Sequence, residues 1–407
     1  MGRVFNTTGV CIPEKHYMVN INGRLQQIKV LVDEGKYFTI NRARQYGKTT
    51  TLRALAEMLR DEYYVVLLDF QTFDNEKFSN GNVFSVAFAG SFLRVLRRNC
   101  KTMNNEMVSV IEEMKKDADY ANRYFSLKEL FEGLSDICEA ADRKIVLMID
   151  EVDSAANNQV FIDFLAQLRA QYLDREFYPG FQSVILAGVY DIKNLKRKLR
   201  PEEGHRYNSP WNIAADFSIE MSFSESEIAG MLQEYESDHR TGMNISKMSE
   251  LLYAYTAGYP FLVSRICQLM DERVRDEYEN LKLVWTENGF NEAVRILLAE
   301  KNPLFESLVG KICDYPELSV MLKTLLFTGR NIAYNPDETS IDMAQMFGFI
   351  KNQNGNVVIA NRIFETRLYN YYLTEAKMQQ TEIYKAALQD KSQFIVCLLY
   401  TSDAADD

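Results

Sequence analysis

The chain has 407 residues, of which 47% are hydrophobic and 25% charged, with a formal net charge of −11. That balance belongs to a globular protein with length for two or three domains. It excludes several classes: no apolar run approaches the ~18–20 residues of a membrane span, the first residues lack the apolar core of a secretory signal, and net acidity opposes nucleic-acid binding unless a local basic patch supplies it. The expected location is the cytoplasm, with no membrane partner. The six cysteines include no C-x-x-C pair and there are three histidines, so no zinc site is expected.

Residues 36–42, KYFTINR, predict a short strand, followed by a turn at 43–47 and a helix from Lys48 to about Asp61. YYVVLLDF (63–70) is a continuous apolar run between polar flanks, as in a strand covered on both faces. Segments 83–100 and 126–142 carry helical spacing, and KIVLMIDEVD (144–153) is a second buried strand with acidic residues at its carboxyl end. A helix over 158–174, a strand over FQSVILAGVY (181–190) and a weaker, alternating strand over FSIEMSF (217–223) follow. This alternation predicts an α/β fold, a parallel sheet with helices on both faces. Beyond residue 223 helical patterns dominate, opened by Ser224 and Glu227 at capping-box spacing. GFIKNQNGNVVIANRIF then places Gly355 in a turn between two extended runs. Helices followed by such a hairpin predict a winged helix.

Two segments carry chemistry. In NRARQYGKTTT (41–51), between a predicted strand and a predicted helix, Gly47, Lys48 and Thr49 supply the G-K-[ST] end of a P-loop. A triphosphate needs backbone N–H groups curled round it, a lysine for the β and γ phosphates, and a hydroxyl for Mg²⁺. Thr50 is placed to add a phosphate contact, and the helix N-terminus favours anions. The first glycine of the pattern is replaced by Arg42, whose side chain must point away from the phosphates. The bland alternative is an ordinary helix start with a glycine turn. The second segment is the buried strand ending in Asp150 and Glu151. There an aspartate can anchor Mg²⁺ through its water shell while the glutamate polarises the attacking water; the bland alternative is a strand emerging into solvent. Asp153 reads as a helix N-cap or a solvent-facing charge.

With these motifs, FNTTGVCIPEKHYMV, LMIDEVD, NSPWNIAADF (208–217) and YTAGYPFLVSRIC (255–267), the chain over residues 4–395 resembles AAA-ATPase-like proteins of anaerobic gut bacteria. These are relatives of the archaeal-type ATPases and STAND NTPases that often carry a C-terminal PD-(D/E)XK nuclease-like domain. The resemblance implies a P-loop core, a helical lid and a winged helix, and arginine in place of the first loop glycine is usual in that group. It also implies that the segment at Tyr17, Met18 and Val19 folds against the adenine, that Pro260 of GYP touches the nucleotide, and that Arg265 serves as a sensor. For Tyr17 and Val19 simple packing on the core is the alternative, and for Arg265 a solvated helix arginine. The strand end at Gly188 to Asp191 lies where a γ-phosphate sensor would sit, without a clear polar residue. The basic run 191–206, with Lys193, Lys196, Arg197, Lys198 and Arg200, could supply an arginine finger or touch a nucleic-acid backbone, although such a run is more often a solvated helix face.

The expected organisation is a P-loop core at 1–223, a helical lid at 224–317 and a winged-helix-like domain at 318–375. A linker at 376–396 towards a missing C-terminal domain follows. The end, CLLYTSDAADD (397–407), resembles translated sequencing-adapter read-through, with a genuine acidic tail as the alternative. The expected function is an ATP- and Mg²⁺-binding, ATP-hydrolysing switch that regulates a nuclease-like effector. Two alternatives stand beside it: a nucleotide-binding scaffold without turnover, and a nucleic-acid-binding regulator acting through the winged helix, where Lys351 and Arg362 flank the wing. A homo-oligomer is among the partners expected.

Overall fold

A computed structural model describes residues 2–99, 103–189, 211–277 and 281–374. The basic run, the 376–396 linker and the 397–407 end from the sequence reading lie outside the described residues. By backbone contacts the chain divides into two units, one of residues 21–43 and 48–220, the other of 1–20, 44–47 and 221–407.

The first unit is built on four parallel strands, β3 (Phe38–Asn41), β4 (Tyr64–Asp69), β5 (Ile145–Asp150) and β6 (Ser183–Gly188). The pairs β1 (Val4–Phe5) and β2 (His16–Tyr17) belong to the other unit. The sheet order is β3-β6-β5-β4, so β6 lies between the strand preceding the 42–47 loop and the strand ending in Asp150. Every residue of β5 is buried, which is why its sequence reads as an unbroken apolar run: a strand with both faces covered needs apolar residues in both phases of its two-residue period.

The two phases meet different partners. Ile145, Leu147 and Ile149 enter a core with Phe84, Phe88 and Phe164, contributed by α3 (Gly81–Asn99) and α6 (Gln159–Leu173). That core also takes Met107 of α4 (Asn105–Asp117) and Leu134 of α5 (Leu127–Ala140). Val146 and Met148 are buried outside that cluster. On the opposite face α2 (Lys48–Leu59) packs against β4, β5 and β6, and α1 (Asn22–Asp33) packs on α2. The period of two therefore puts Asp150 in phase with Val146 and Met148, on the side of α2.

The strand expected over 217–223 does not form. A single parallel bridge, Phe38 to Ala215, takes its place on the outer edge of β3. The following residues are held by side chains: Phe217 stacks on Phe38 at 5.8 Å, and Arg42 lies over the Phe217 ring. Helices α1 and α4 were not among the expected elements.

The second unit contains α7 (Glu225–His239), α8 (Ile245–Thr256) and α9 (Pro260–Leu269), the last running on through a π-helical stretch, Met270–Val274. Ser224 caps α7 as its spacing predicts: its hydroxyl accepts the Glu227 N–H, and Glu227 accepts the Ser224 N–H. Helices α10 (Glu287–Ala299), α11 (Pro303–Asp314), α12 (Pro316–Phe327) and α13 (Thr339–Met346) precede an antiparallel hairpin, β7 (Ile350–Gln353) and β8 (Asn356–Ile359), and α14 (Arg362–Leu373). Asn354 and Gly355 turn the hairpin with φ of 52° and 81°. Two successive positive φ values are what a two-residue turn needs to match strand twist, and Asn-Gly adopts them readily. Among the described residues no helix is long and apolar enough to cross a membrane.

Candidate functional site

The site grows from the carboxyl ends of β3 and β5, the edge where open parallel sheets bind ligands. β3 ends at Asn41 and the chain turns through left-handed geometry at Gln45 (φ 58°) and Gly47 (φ 77°) before α2 begins at Lys48. The Lys48 ammonium is buried, with 7% of the residue exposed. It donates to the carbonyl oxygens of Arg42 at 3.0 Å and Ala43 at 3.1 Å. Both of these acceptors are neutral carbonyl oxygens, which phosphate oxygens can replace. Arg42 turns away from this cradle, as its place in the motif requires: it donates to the Ile219 carbonyl at 2.9 Å.

One residue on, Thr49 Oγ1 donates to Asp150 Oδ2 at 2.6 Å, which ties the start of α2 to the end of β5. Asp150 is 4% exposed, and its other oxygen accepts the Glu151 N–H at 3.0 Å. Glu151 itself is left-handed, with φ 52° and ψ 42°. For a residue with a long side chain that conformation costs on the order of 1–3 kcal/mol, and such outliers gather at functional sites. Burial pushes the Glu151 carboxyl above its usual range. Lys48 opposes the shift, and Asp150, Asp153 and Asp69 add to it.

Residues 10–375 match the family model described as an AAA-like domain. The chain belongs to that family. The AAA-like chain is similar in structure to a Walker-type ATPase of Pyrococcus abyssi, with a TM-score of 0.61 at 13% identity over 90% of this chain and 99% of that one. It also aligns with Cdc6p from Pyrobaculum aerophilum, with a TM-score of 0.43 at 14% identity over 90% and 97% of the two chains. The fold likeness rests on the first. No curated protein matches the sequence. The comparisons and the sheet agree on an α/β fold of the P-loop ATPase kind.

Lys48, Thr49, Thr50, Asp150 and Glu151 all lie in the unit of residues 21–43 and 48–220, where hydrogen bonds join Thr49 and Glu151 to Asp150. Gly47, Tyr17, Val19, Pro260 and Arg265 belong to the other unit. There Tyr17 is buried against Phe5 and Tyr235, with ring centroids 5.2 and 5.1 Å away. Its hydroxyl donates to Asp238 at 2.8 Å and meets His239 Nε2 at 3.1 Å. Burial first and Asp238 second push its phenol up to about 12. Val19 is buried beside it in sequence, and Pro260 is buried as the first residue of α9. Arg265 grips Glu300 through two nitrogens and donates to Gln268 at 2.7 Å.

The sequence reading missed several groups. Asp153 caps no helix; its Oδ2 accepts the Val189 N–H at 2.6 Å. Tyr259 donates from its buried hydroxyl to the Arg44 carbonyl, and the Tyr46 ring meets the Tyr259 ring edge-on at 4.6 Å. The tyrosine of GYP was the only available signal for the second contact, and the second Asp of DEVD the only one for the first.

Proposed function

We propose that the protein binds ATP at the 42–50 loop and hydrolyses it, acting as a nucleotide-driven switch. The observation that carries this reading is the juxtaposition of a buried Lys48 ammonium, the Thr49–Asp150 hydrogen bond and a half-buried, left-handed Glu151 at one sheet edge. Lys48 would exchange its two carbonyl acceptors for β- and γ-phosphate oxygens, and the first N–H groups of α2 would meet the same anion.

The donor set fits Mg²⁺: a hydroxyl and a carboxylate already in contact are hard oxygen ligands, of the kind a partly hydrated Mg²⁺ takes. Among the described residues no group of three or more His, Cys, Asp or Glu side chains is arranged to hold a metal without such help, which suits an ion bound mainly by phosphate and water. Thr49 and Asp150 would hold it, and it would supply charge neutralisation at the phosphates. Glu151 would orient a water molecule against the γ-phosphorus and take its proton as the new P–O bond forms and the bond to the ADP oxygen breaks.

The test is equilibrium binding of a fluorescent ATP analogue followed by steady-state hydrolysis. Saturable binding with turnover is expected; binding without turnover, even with candidate partners, would replace the ATPase by a nucleotide-holding scaffold.

Two finer parts of the reading come from family resemblance. The helices and hairpin of 318–375 would act as a winged helix, which duplex binding at low salt and its loss in Lys351→Glu would test. The regulated effector would be nuclease-like, which an assay for ATP-dependent nuclease activity in proteins that co-purify with the chain would test.

A further inference from the structure

The peptide group between Gly188 and Val189 is held at both of its polar atoms. Its carbonyl oxygen, on Gly188, accepts the Arg42 N–H at 3.2 Å. Its N–H, on Val189, donates to Asp153 Oδ2 at 2.6 Å. Arg42 opens the phosphate loop, and Asp153 sits in the short 3₁₀ turn Val152–Ser154 that Glu151 enters. One peptide at the end of β6 thus links the loop with Lys48 to the turn with Glu151.

The packing around this link leaves no slack. A Cβ on Gly188 would lie 2.8 Å from Val152 Cγ2 and 2.9 Å from Asp153 Oδ1, closer than carbon atoms tolerate. The turn is closed on its other side by Ser154, whose N–H and hydroxyl both donate to the Glu151 carbonyl, at 3.1 and 2.9 Å. Glu151 is therefore fixed by bonds on its own N–H and carbonyl, and the turn they form is anchored to the rest of the sheet edge through Asp153. A charged acceptor for a backbone N–H is among the stronger hydrogen bonds available.

We infer that Asp153 is a positioning residue for the ATPase site: through the 188–189 peptide it sets the Glu151 turn against the phosphate loop, so that the general base holds the attacking water at working distance from the γ-phosphate. This rests on the ATPase reading above. A misplacement of about 1 Å at a reacting group can cost on the order of a hundredfold in rate. Loss of the brace should therefore appear in kcat and leave the ground-state affinity for nucleotide nearly untouched, because Lys48, Thr49 and Asp150 hold their own contacts.

The experiment compares wild type, Asp153→Ala, Asp153→Asn and Gly188→Ala for Mg·ATP hydrolysis and ATP-analogue binding, with backbone amide exchange at Val189 measured on each folded protein. Asp153→Ala is expected to lower kcat about tenfold or more, keep KM and analogue affinity within about twofold, and lose protection at Val189. Asp153→Asn, which retains a carbonyl acceptor, is expected to restore protection and most of kcat, a rescue that loss of general stability would not give. Gly188→Ala, which pushes the two sides apart with Asp153 intact, is expected to mimic Asp153→Ala. Unchanged kcat in Asp153→Ala, or a Val189 amide still protected there, overturns the inference while leaving the ATPase standing. A wild type that binds no ATP analogue overturns the ATPase reading and this role with it, whereas an Asp153→Ala chain that does not fold passes the decision to Gly188→Ala and Asp153→Asn.

Discussion

Lys48 and Glu151 make the sharpest demands on experiment. Lys48 spends its side chain on two loop carbonyls rather than on core packing, so Lys48→Ala is expected to abolish measurable ATP-analogue binding while leaving the far-ultraviolet circular dichroism unchanged; retained affinity would remove the phosphate-loop assignment. Glu151→Gln keeps the shape of the side chain and should bind ATP normally with turnover reduced at least about tenfold. The same variant tests the electrostatics. Glu151 has a folded-state pKa above its unfolded value, chiefly from burial. Its contribution to stability is then complete below the ordinary carboxylate range, near about 4.3, and is lost as pH rises through the raised folded value. Glutamine does not ionise, so thermal denaturation should show Glu151→Gln more stable than wild type at neutral to mildly alkaline pH. The two should converge in acid, below about pH 4. An equal Tm difference at both ends would mean that the shift is not what separates them.

Among the elements, α7 offers the cleanest test of a local signal. Its capping box satisfies two N–H groups, and Ser224→Ala is expected to cost about 1 kcal/mol, read as a lower urea midpoint at constant m-value. That signal was legible because both partners lie three residues apart. β5 was legible for a different reason: six apolar or terminal acidic residues can form an unbroken buried run only as a strand covered on both sides, and the acidic pair then falls at the edge where ligands bind. The strand expected over 217–223 was misread because alternation records a side-chain pattern and not a ladder partner; Phe217 and Arg42 satisfy that pattern with one bridge at Ala215. The bond from Val189 to Asp153 spans 36 positions, and that from Tyr259 to Arg44 spans 215. No periodicity carries such information, so these contacts became visible only in three dimensions.

For the molecule as a whole, the N-terminal residues belong with the far end of the chain. Phe5 and Tyr17 are buried against Tyr235, and Phe5 also meets Trp285 at 6.1 Å. Sequence position suggested a segment of the core at 1–223, because nothing local in FNTTGVCIPEKHYMV names a partner two hundred residues away. Burying a large side chain is worth about 1.5–3 kcal/mol. A protein lacking residues 2–20 is therefore expected to lose stability in its helical unit first, with earlier tryptophan fluorescence change from Trp285 and increased binding of a hydrophobic dye. A truncation that melts like the full chain would show that these rings contribute little.

The two-sided burial of β5 bears on how such a chain can change over generations. Its positions accept exchanges among apolar residues of similar volume, since each only fills space on one face or the other. Its length accepts no change. Deleting or adding one residue upstream of Asp150 would swap the two phases, carry the carboxylate from the α2 face to the phenylalanine-rich core, and part it from Thr49. Related chains should therefore drift freely in the letters of this strand while holding fixed the count from its first buried residue to its aspartate, and insertions should collect in the loops at either end.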